Sequence, residues 1–150
     1  MLKDKLREDL KKAMLAKDQV AVSTLRMLIS AIGYYEIQKG GAGYEATDED
    51  VESVIQKEVK QRRDAIEQFM AGGREDLVGI ETKEMAVLEK YLPEQMSEEE
   101  IKKHVDDAIS RTGAKGPQDM GKVMSVLMPE TKGKADGSLV SKIVKEKLVS

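Results

Sequence analysis

Residues 19–38 read QVAVSTLRMLISAIGYYEIQ, and the apolar spacing of this segment predicts the most buried helix of the chain. Its apolar positions are Ala21, Val22, Leu25, Leu28, Ile29, Ile32 and Tyr35. They recur at intervals of three and four residues, which places them on one side of an α-helix that turns by about 100° per residue. A helix with so wide an apolar face is expected to lie in the middle of a helical core.

Six further segments have helical spacing, and no segment alternates as a strand does. They cover about residues 2–16, 47–71, 75–91, 97–112 and 117–128, and residues from 138 onward. Thr47 with Asp50 approximates a capping box, and Ser97 with Glu100 matches it fully. The glycine-rich residues 39–46 predict a loop, and we expect the sixth helix to stop before Pro129.

The segment LPEQM, residues 92–96, separates four longer helices from three shorter ones. Pro93 disfavours helix at the residue before it, so the chain is expected to break there. The sequence therefore predicts an all-α fold of two helical subdomains. Residues 1–92 form a four-helix N-terminal part, and residues 93–150 form a three-helix C-terminal part.

Composition excludes several classes of site. The chain has no Cys and one His, His104, so disulfides, Cys nucleophiles, thiolate metal sites and His-based metal clusters are ruled out. We predict no metal and no cofactor. Residues 1–10 lack the apolar region of a signal peptide, and we find no stretch of about 20 apolar residues. We expect a cytoplasmic protein that does not enter a membrane.

Four charged residues fall on predicted apolar faces: Glu58, Arg62, Glu81 and Glu84. If the third and fourth helices form a hairpin at Gly72 and Gly73, Arg62 lies level with Glu81 and Glu84. Three carboxylates could serve acid–base or metal chemistry, but a carboxylate-bridged metal pair needs a Glu-x-x-His motif from each of two helices. The favoured interpretation is a structural ion network, with Arg62 paired to Glu81 or Glu84.

Residues 116–122, GPQDMGK, match the first seven positions of the phosphate-binding motif GxxxxGK[ST]. Val123 follows where that motif needs Ser or Thr, and Asp119 would repel a phosphate. No strand is predicted before the segment. We therefore reject nucleotide binding here and expect an exposed Lys122 opposite an apolar stripe.

The end of the chain is locally basic. The whole chain has a net charge of −3, yet the residues from Arg111 to Ser150 include eight basic and four acidic side chains, a net charge of +4. The predicted RNA-contacting lysines are Lys122, Lys132, Lys134, Lys142 and Lys145. They could form one basic surface for a phosphate backbone. Spacing alone does not separate this hypothesis from ordinary solvated lysines.

Six segments resemble the YqeY-like family in order along nearly the whole chain. They are LRML (25–28), KEVKQRRDAI (57–66), GREDLV (73–78), YLPEQ (91–95), DMGKVM (119–124) and KGKADG (132–137). The last two segments are also similar to the tail domain at the end of the B subunit of the tRNA-dependent amidotransferase.

The resemblance implies two all-helical subdomains and a role in holding tRNA, as the amidotransferase tail does. It also carries the family-level label of a carbon–nitrogen ligase with glutamine as amide donor, although no segment resembles a catalytic centre of that enzyme. The implied partners are tRNA and an amidotransferase or another tRNA enzyme.

Three functions follow from these observations, in order of preference. The first is a non-catalytic module that binds tRNA or another structured RNA by its backbone and shape. The second is a protein-interaction adaptor that docks on an amidotransferase or another tRNA enzyme. The third is a hydrolase or ligase, which needs an activated nucleophile or a metal that the sequence does not display.

Overall fold

The computed structural model describes residues 1–149. That range is helical without a strand, so the all-α prediction is confirmed. The helices are α1 (Leu2–Ala16), α2 (Gln19–Gly40), α3 (Asp48–Ala71), α4 (Glu75–Glu89), α5 (Glu98–Thr112), α6 (Met120–Thr131) and α7 (Gly137–Val149). Single 3-10 turns at Gly41–Gly43 and Pro117–Asp119 follow α2 and precede α6. The helices divide between two compact units, Met1–Leu92 and a second that starts at Pro93.

The first unit packs α1 to α4 around an aliphatic core. Helices α3 and α4 form a hairpin, and α2 contacts α1, α3 and α4. Leu6, Leu25, Ile32, Ile55 and Leu88 come from all four helices, and each is at most 2% exposed. Burial of these side chains removes apolar surface from water and supplies most of the driving force for folding.

Helix α2 is long and apolar enough to cross a membrane by length and composition alone. We had expected no such stretch. In the structure Leu25, Leu28 and Ile32 of this helix are buried in the core of the first unit. The core helix of a folded domain can be equally long and apolar, so length and composition are weak support for a membrane span.

The second unit packs α5, α6 and α7 pairwise. Val105 of α5, Val123 and Leu127 of α6 and Val144 of α7 are fully buried. No residue of this core is aromatic, since every Phe and Tyr of the chain precedes Pro93.

The sequence matched the capping-box pattern fully at Ser97 and approximately at Thr47, but in the structure the complete box is the one at Thr47. Thr47 and Asp50 form the complete box: Asp50 N–H donates to Thr47 Oγ1 at 3.2 Å, and Thr47 N–H donates to Asp50 Oδ2 at 3.0 Å. At α5, Ser97 Oγ accepts from the Glu100 N–H at 3.2 Å, and this is the half of the box present in the described chain. The shorter Asp side chain is thus sufficient to close the box at α3.

The hairpin between α3 and α4 turns at Gly73. Gly73 has a left-handed φ of 71°, which glycine adopts without a side-chain clash. Arg74 N–H donates to Phe69 C=O at 2.8 Å, which is the bond that closes a Schellman motif.

The predicted end of the sixth helix is wrong, because α6 continues through Pro129 to Thr131. Proline cannot donate to the carbonyl four residues earlier, which disfavours it in a helix. Thr131 anchors the final turn instead: it is 5% exposed, and its hydroxyl donates to Leu127 C=O at 3.3 Å. Lys132 N–H then donates to Met128 C=O at 2.9 Å.

Truncating Leu88 to alanine should lower the free energy of unfolding of the first unit by about 2–5 kcal/mol, since the change leaves a cavity in a packed core. Urea denaturation followed by circular dichroism measures this change. Leu15 of α1 is 86% exposed and provides the control; Leu15→Ala should change stability by less than about 0.5 kcal/mol. Equal stability of the two variants would contradict the core assignment.

Candidate functional site

The five lysines proposed from sequence all lie in the second unit and are all exposed. Lys122 is on α6, Lys132 and Lys134 are in the loop before α7, and Lys142 and Lys145 are on α7. Within residues 1–149, none of these ammonium groups forms an ion pair. Their charge is therefore available to an external anion.

Helix packing explains why these lysines face solvent. Val123 and Leu127 of α6, and Val140, Ile143 and Val144 of α7, are buried in the core of the second unit. A helix that buries one stripe exposes the opposite side. The lysines of α6 and α7 occupy that exposed side.

The lysine loop, residues 132–136, has a defined backbone. Lys134 N–H and Ala135 N–H both donate to Thr131 C=O, at 2.9 and 3.0 Å. Gly133 has a φ of 81°, in the left-handed region. Gln95 and Met96 also donate hydrogen bonds to this loop, a feature that helical periodicity could not reveal because both residues precede α5.

Three of the four acidic residues between Arg111 and Val149 have partners within the chain: Asp119, Glu130 and Asp136. Glu130 pairs with Arg111 at 2.8 Å, and this hydrogen bond holds the pKa of Glu130 below its usual value. Asp119 Oδ2 accepts from the Lys115 N–H at 3.0 Å. Asp136 Oδ1 accepts from the Ser138 N–H at 3.1 Å. The Ser138 N–H at the start of α7 is therefore bonded within the chain and is not available to an anion.

The GxxxxGK-like segment does not have the architecture of a phosphate-binding loop. Pro117–Asp119 forms a 3-10 turn that leads into α6, and the element before it is helix α5 rather than a strand. Lys122 is exposed within α6.

Arg62 forms the inward ion pairs of the first unit. Its guanidinium donates to Glu58 Oε2 at 2.8 Å and to Glu84 Oε2 at 3.2 Å, and the Arg62 side chain is 6% exposed. A further bond reaches Glu58 C=O at 3.2 Å. Glu81 lies about one turn before Glu84, is half-buried, and is not a partner of Arg62.

Comparison with known proteins places the chain in a family. A family model described as Yqey-like protein matches residues 3–148. The chain belongs to the YqeY-like family.

Relatives of this YqeY-like chain carry the name "Altered inheritance of mitochondria protein 41, mitochondrial". The protein of Saccharomyces cerevisiae is 34% identical over 119 residues, which cover 75% of this chain and 63% of that protein. The protein of Clavispora lusitaniae is 40% identical over 111 residues, which cover 73% and 63%. The match spans less than two thirds of the length of these relatives.

A second polar cluster of this YqeY-like chain surrounds Asp50, which is 7% exposed. Lys39 Nζ and Tyr35 Oη donate to Asp50 Oδ1 at 2.8 and 2.9 Å. Tyr44 Oη and the Thr47 N–H donate to Oδ2. Sequence reasoning identified Asp50 as a cap, but not the tyrosines and the lysine, which reach it only when the end of α2 packs on the start of α3.

These hydrogen bonds shift the pKa values of Asp50 and Lys39. The hydrogen bond from Lys39 is the largest cause of an Asp50 pKa well below its ordinary value, and Tyr44 and the Thr47 backbone add to it. The same bond raises the pKa of Lys39. Every polar group in this arrangement has a partner, so the cluster fastens the segment between α2 and α3.

Metal ligands are not assembled in the part of the chain that the structure describes. No group of three or more His, Cys, Asp or Glu side chains there could hold a metal ion.

Replacing Arg62 by methionine should lower the free energy of unfolding by about 2–4 kcal/mol, because two partly buried carboxylates lose their cation. Chemical denaturation measures the loss. Arg7, whose side chain is 56% exposed, pairs with Asp4 at 4.0 Å and provides the control; Arg7→Met should cost less than about 1 kcal/mol. An Arg62→Met variant as stable as the wild type would show that the network does not stabilise the fold.

Replacing Asp50 by asparagine should destabilise the first unit at neutral pH, because the carboxylate form accepts the cluster's hydrogen bonds. The folded pKa lies below the unfolded value of about 3.9. The stabilisation is therefore present above the unfolded value and is lost progressively as the pH falls below it toward the folded pKa. Melting temperatures of Asp50→Asn and wild type should converge over that range. Glu67→Gln, at an exposed position of α3, should match the wild type throughout, and an Asp50→Asn difference independent of pH would contradict the assignment.

Proposed function

We propose that this chain is a non-catalytic module that binds structured RNA, with tRNA as the first candidate, through the lysine surface of its second unit. This lysine surface comprises Lys122, Lys132, Lys134, Lys142 and Lys145. The observation that carries the proposal is that all five lysines are exposed and form no ion pair within residues 1–149, while the nearby acids Glu130, Asp119 and Asp136 have intramolecular partners.

Electrostatic attraction to phosphate favours RNA as the ligand of this surface. Lysines that meet phosphates release bound counterions, which supplies affinity without sequence preference. The overall negative charge of the chain does not oppose this, since local charge decides the contact within about 10 Å at moderate salt. The likeness of residues 119–124 and 132–137 to the amidotransferase tail supports tRNA in particular.

The residue content of the second unit favours a double-stranded ligand. Proteins that read single-stranded bases usually stack them on aromatic rings. The chain from Pro93 onward has no Phe, Tyr or Trp. This surface therefore lacks rings for stacking bases, and we expect it to bind RNA through the phosphate backbone of folded stems.

We expect this protein in the cytoplasm, whereas the name of the yeast relatives assigns those proteins to mitochondria. Translation occurs in both compartments, so a tRNA ligand is compatible with both locations.

A second candidate function is a protein-interaction adaptor that docks on an amidotransferase or another tRNA enzyme. One observation favours it: Met27, Tyr34 and Ile37 are each more than half exposed on one face of α2. Tyr34 also borders a groove of about 190 Å³ between α2 and α3, with Ala31 and Val54 among its apolar residues. Exposed apolar side chains in one area are typical of protein contacts.

Changing Lys122, Lys132, Lys134 and Lys142 together to alanine should weaken tRNA binding and its salt dependence. Each lost phosphate contact lowers the slope of log K against log salt by about 0.9, so the slope should fall by about 3 to 4. Fluorescence anisotropy of labelled tRNA, titrated at several salt concentrations, measures both quantities.

A second quadruple variant that loses the same charge from the first unit shows whether the effect on binding depends on where the lysines lie or only on net charge. Lys11, Lys12, Lys57 and Lys83 are exposed in the first unit, and their joint change to alanine should leave the slope close to that of the wild type. Equal slopes in the two quadruple variants would contradict the proposed surface. A wild type that does not bind at low salt would reject RNA binding and favour the adaptor.

A further inference from the structure

Two residues before α5 hold the lysine loop from outside. The side-chain amide of Gln95 donates from Nε2 to Gly133 C=O at 2.9 Å and to Pro93 C=O at 2.7 Å. The Met96 N–H donates to Lys134 C=O at 2.8 Å. The carbonyls of two consecutive loop residues are therefore bonded to a segment nearly forty positions earlier in the chain.

Hydrogen bonds within the loop also fix its backbone. On its inner side, Lys134 N–H and Ala135 N–H both donate to Thr131 C=O. The left-handed φ of Gly133 is one of several conformations open to glycine. In the observed conformation, the carbonyl of Gly133 accepts the hydrogen bond from the Gln95 amide.

We infer that Gln95 is a positioning residue for RNA binding, which fixes the loop so that Lys132 and Lys134 meet neighbouring phosphates without further ordering. This inference rests on the proposed function and adds how the site is prepared for its ligand. A loop that is ordered before binding avoids the entropic cost of being ordered by the RNA. The bonds involved are uncharged, so they shape the loop and leave both ammonium groups unpaired.

The inference predicts a specific signature for Gln95→Ala. Loss of one hydrogen bond of ordinary net strength should weaken RNA binding by about threefold to tenfold. The slope of log K against log salt should not change, because no cation is removed and the same phosphates are contacted. Hydrogen exchange of the Lys134 and Ala135 amides should be faster in the free variant than in the free wild type.

Two control variants separate positioning from general damage. Ile101→Val removes one methylene from the core of the second unit, where Ile101 is 1% exposed. It should lower stability, as such core changes do, yet leave RNA affinity unchanged. Gln118→Ala changes an exposed glutamine of the same unit and should match the wild type in affinity, slope and exchange.

The decisive experiment is anisotropy of labelled tRNA at about 50 and 200 mM salt for the wild type and these variants, with hydrogen exchange of the free proteins. Weaker binding of Gln95→Ala at an unchanged slope, with faster loop exchange, is the expected result. Wild-type affinity in Gln95→Ala would overturn the inference and leave the proposed function standing. A lower slope would also overturn it, since lysine–phosphate contacts would then be lost instead of being formed at a higher entropic cost.

Two further outcomes are also decisive. If Ile101→Val weakens binding as much as Gln95→Ala does, the effect is loss of stability and positioning is rejected. If the wild type does not bind at about 50 mM salt, the proposed function fails, and the inference fails with it. That result is recognised from the wild type alone, before any variant is compared.

Discussion

Burial of an aliphatic stripe on each helix determines how both units pack. With five aromatic residues in 150 and no disulfide available, each core must be built from Leu, Ile, Val, Ala and Met. Burial of those stripes determines which charged side chains are exposed and which are buried. Most are placed in solvent, and the few drawn inward, Arg62 and Asp50 above all, need partners to offset the loss of water.

The inward and outward charges consequently have different roles. Arg62 and Asp50 are surrounded by opposite charge and hydrogen bonds, so they stabilise the first unit and have little capacity left for a ligand. The five lysines proposed to contact RNA form no ion pair in the described chain, and the nearby acids Glu130, Asp119 and Asp136 are bonded to Arg111, Lys115 and Ser138 respectively.

Sequence periodicity predicted the helices well because apolar spacing and capping are local. It failed at Pro129, because α6 continues through this proline to Thr131. Thr131 is buried, and its burial depends on tertiary packing that periodicity does not report. It placed Arg62 with the carboxylates but could not choose between Glu81 and Glu84, since that choice depends on how α4 is rotated against α3. The bonds of Gln95 to the loop were missed for the same reason: a contact between distant loops leaves no periodic signal.

Lysine footprinting tests the central claim most directly. The protein is acetylated briefly with and without excess tRNA, and the modified sites are quantified by mass spectrometry. The account predicts protection of Lys122, Lys132, Lys134, Lys142 and Lys145, with the exposed lysines of α1 as reactive as before. Protection confined to the first unit, or equal reactivity at every site, would contradict it.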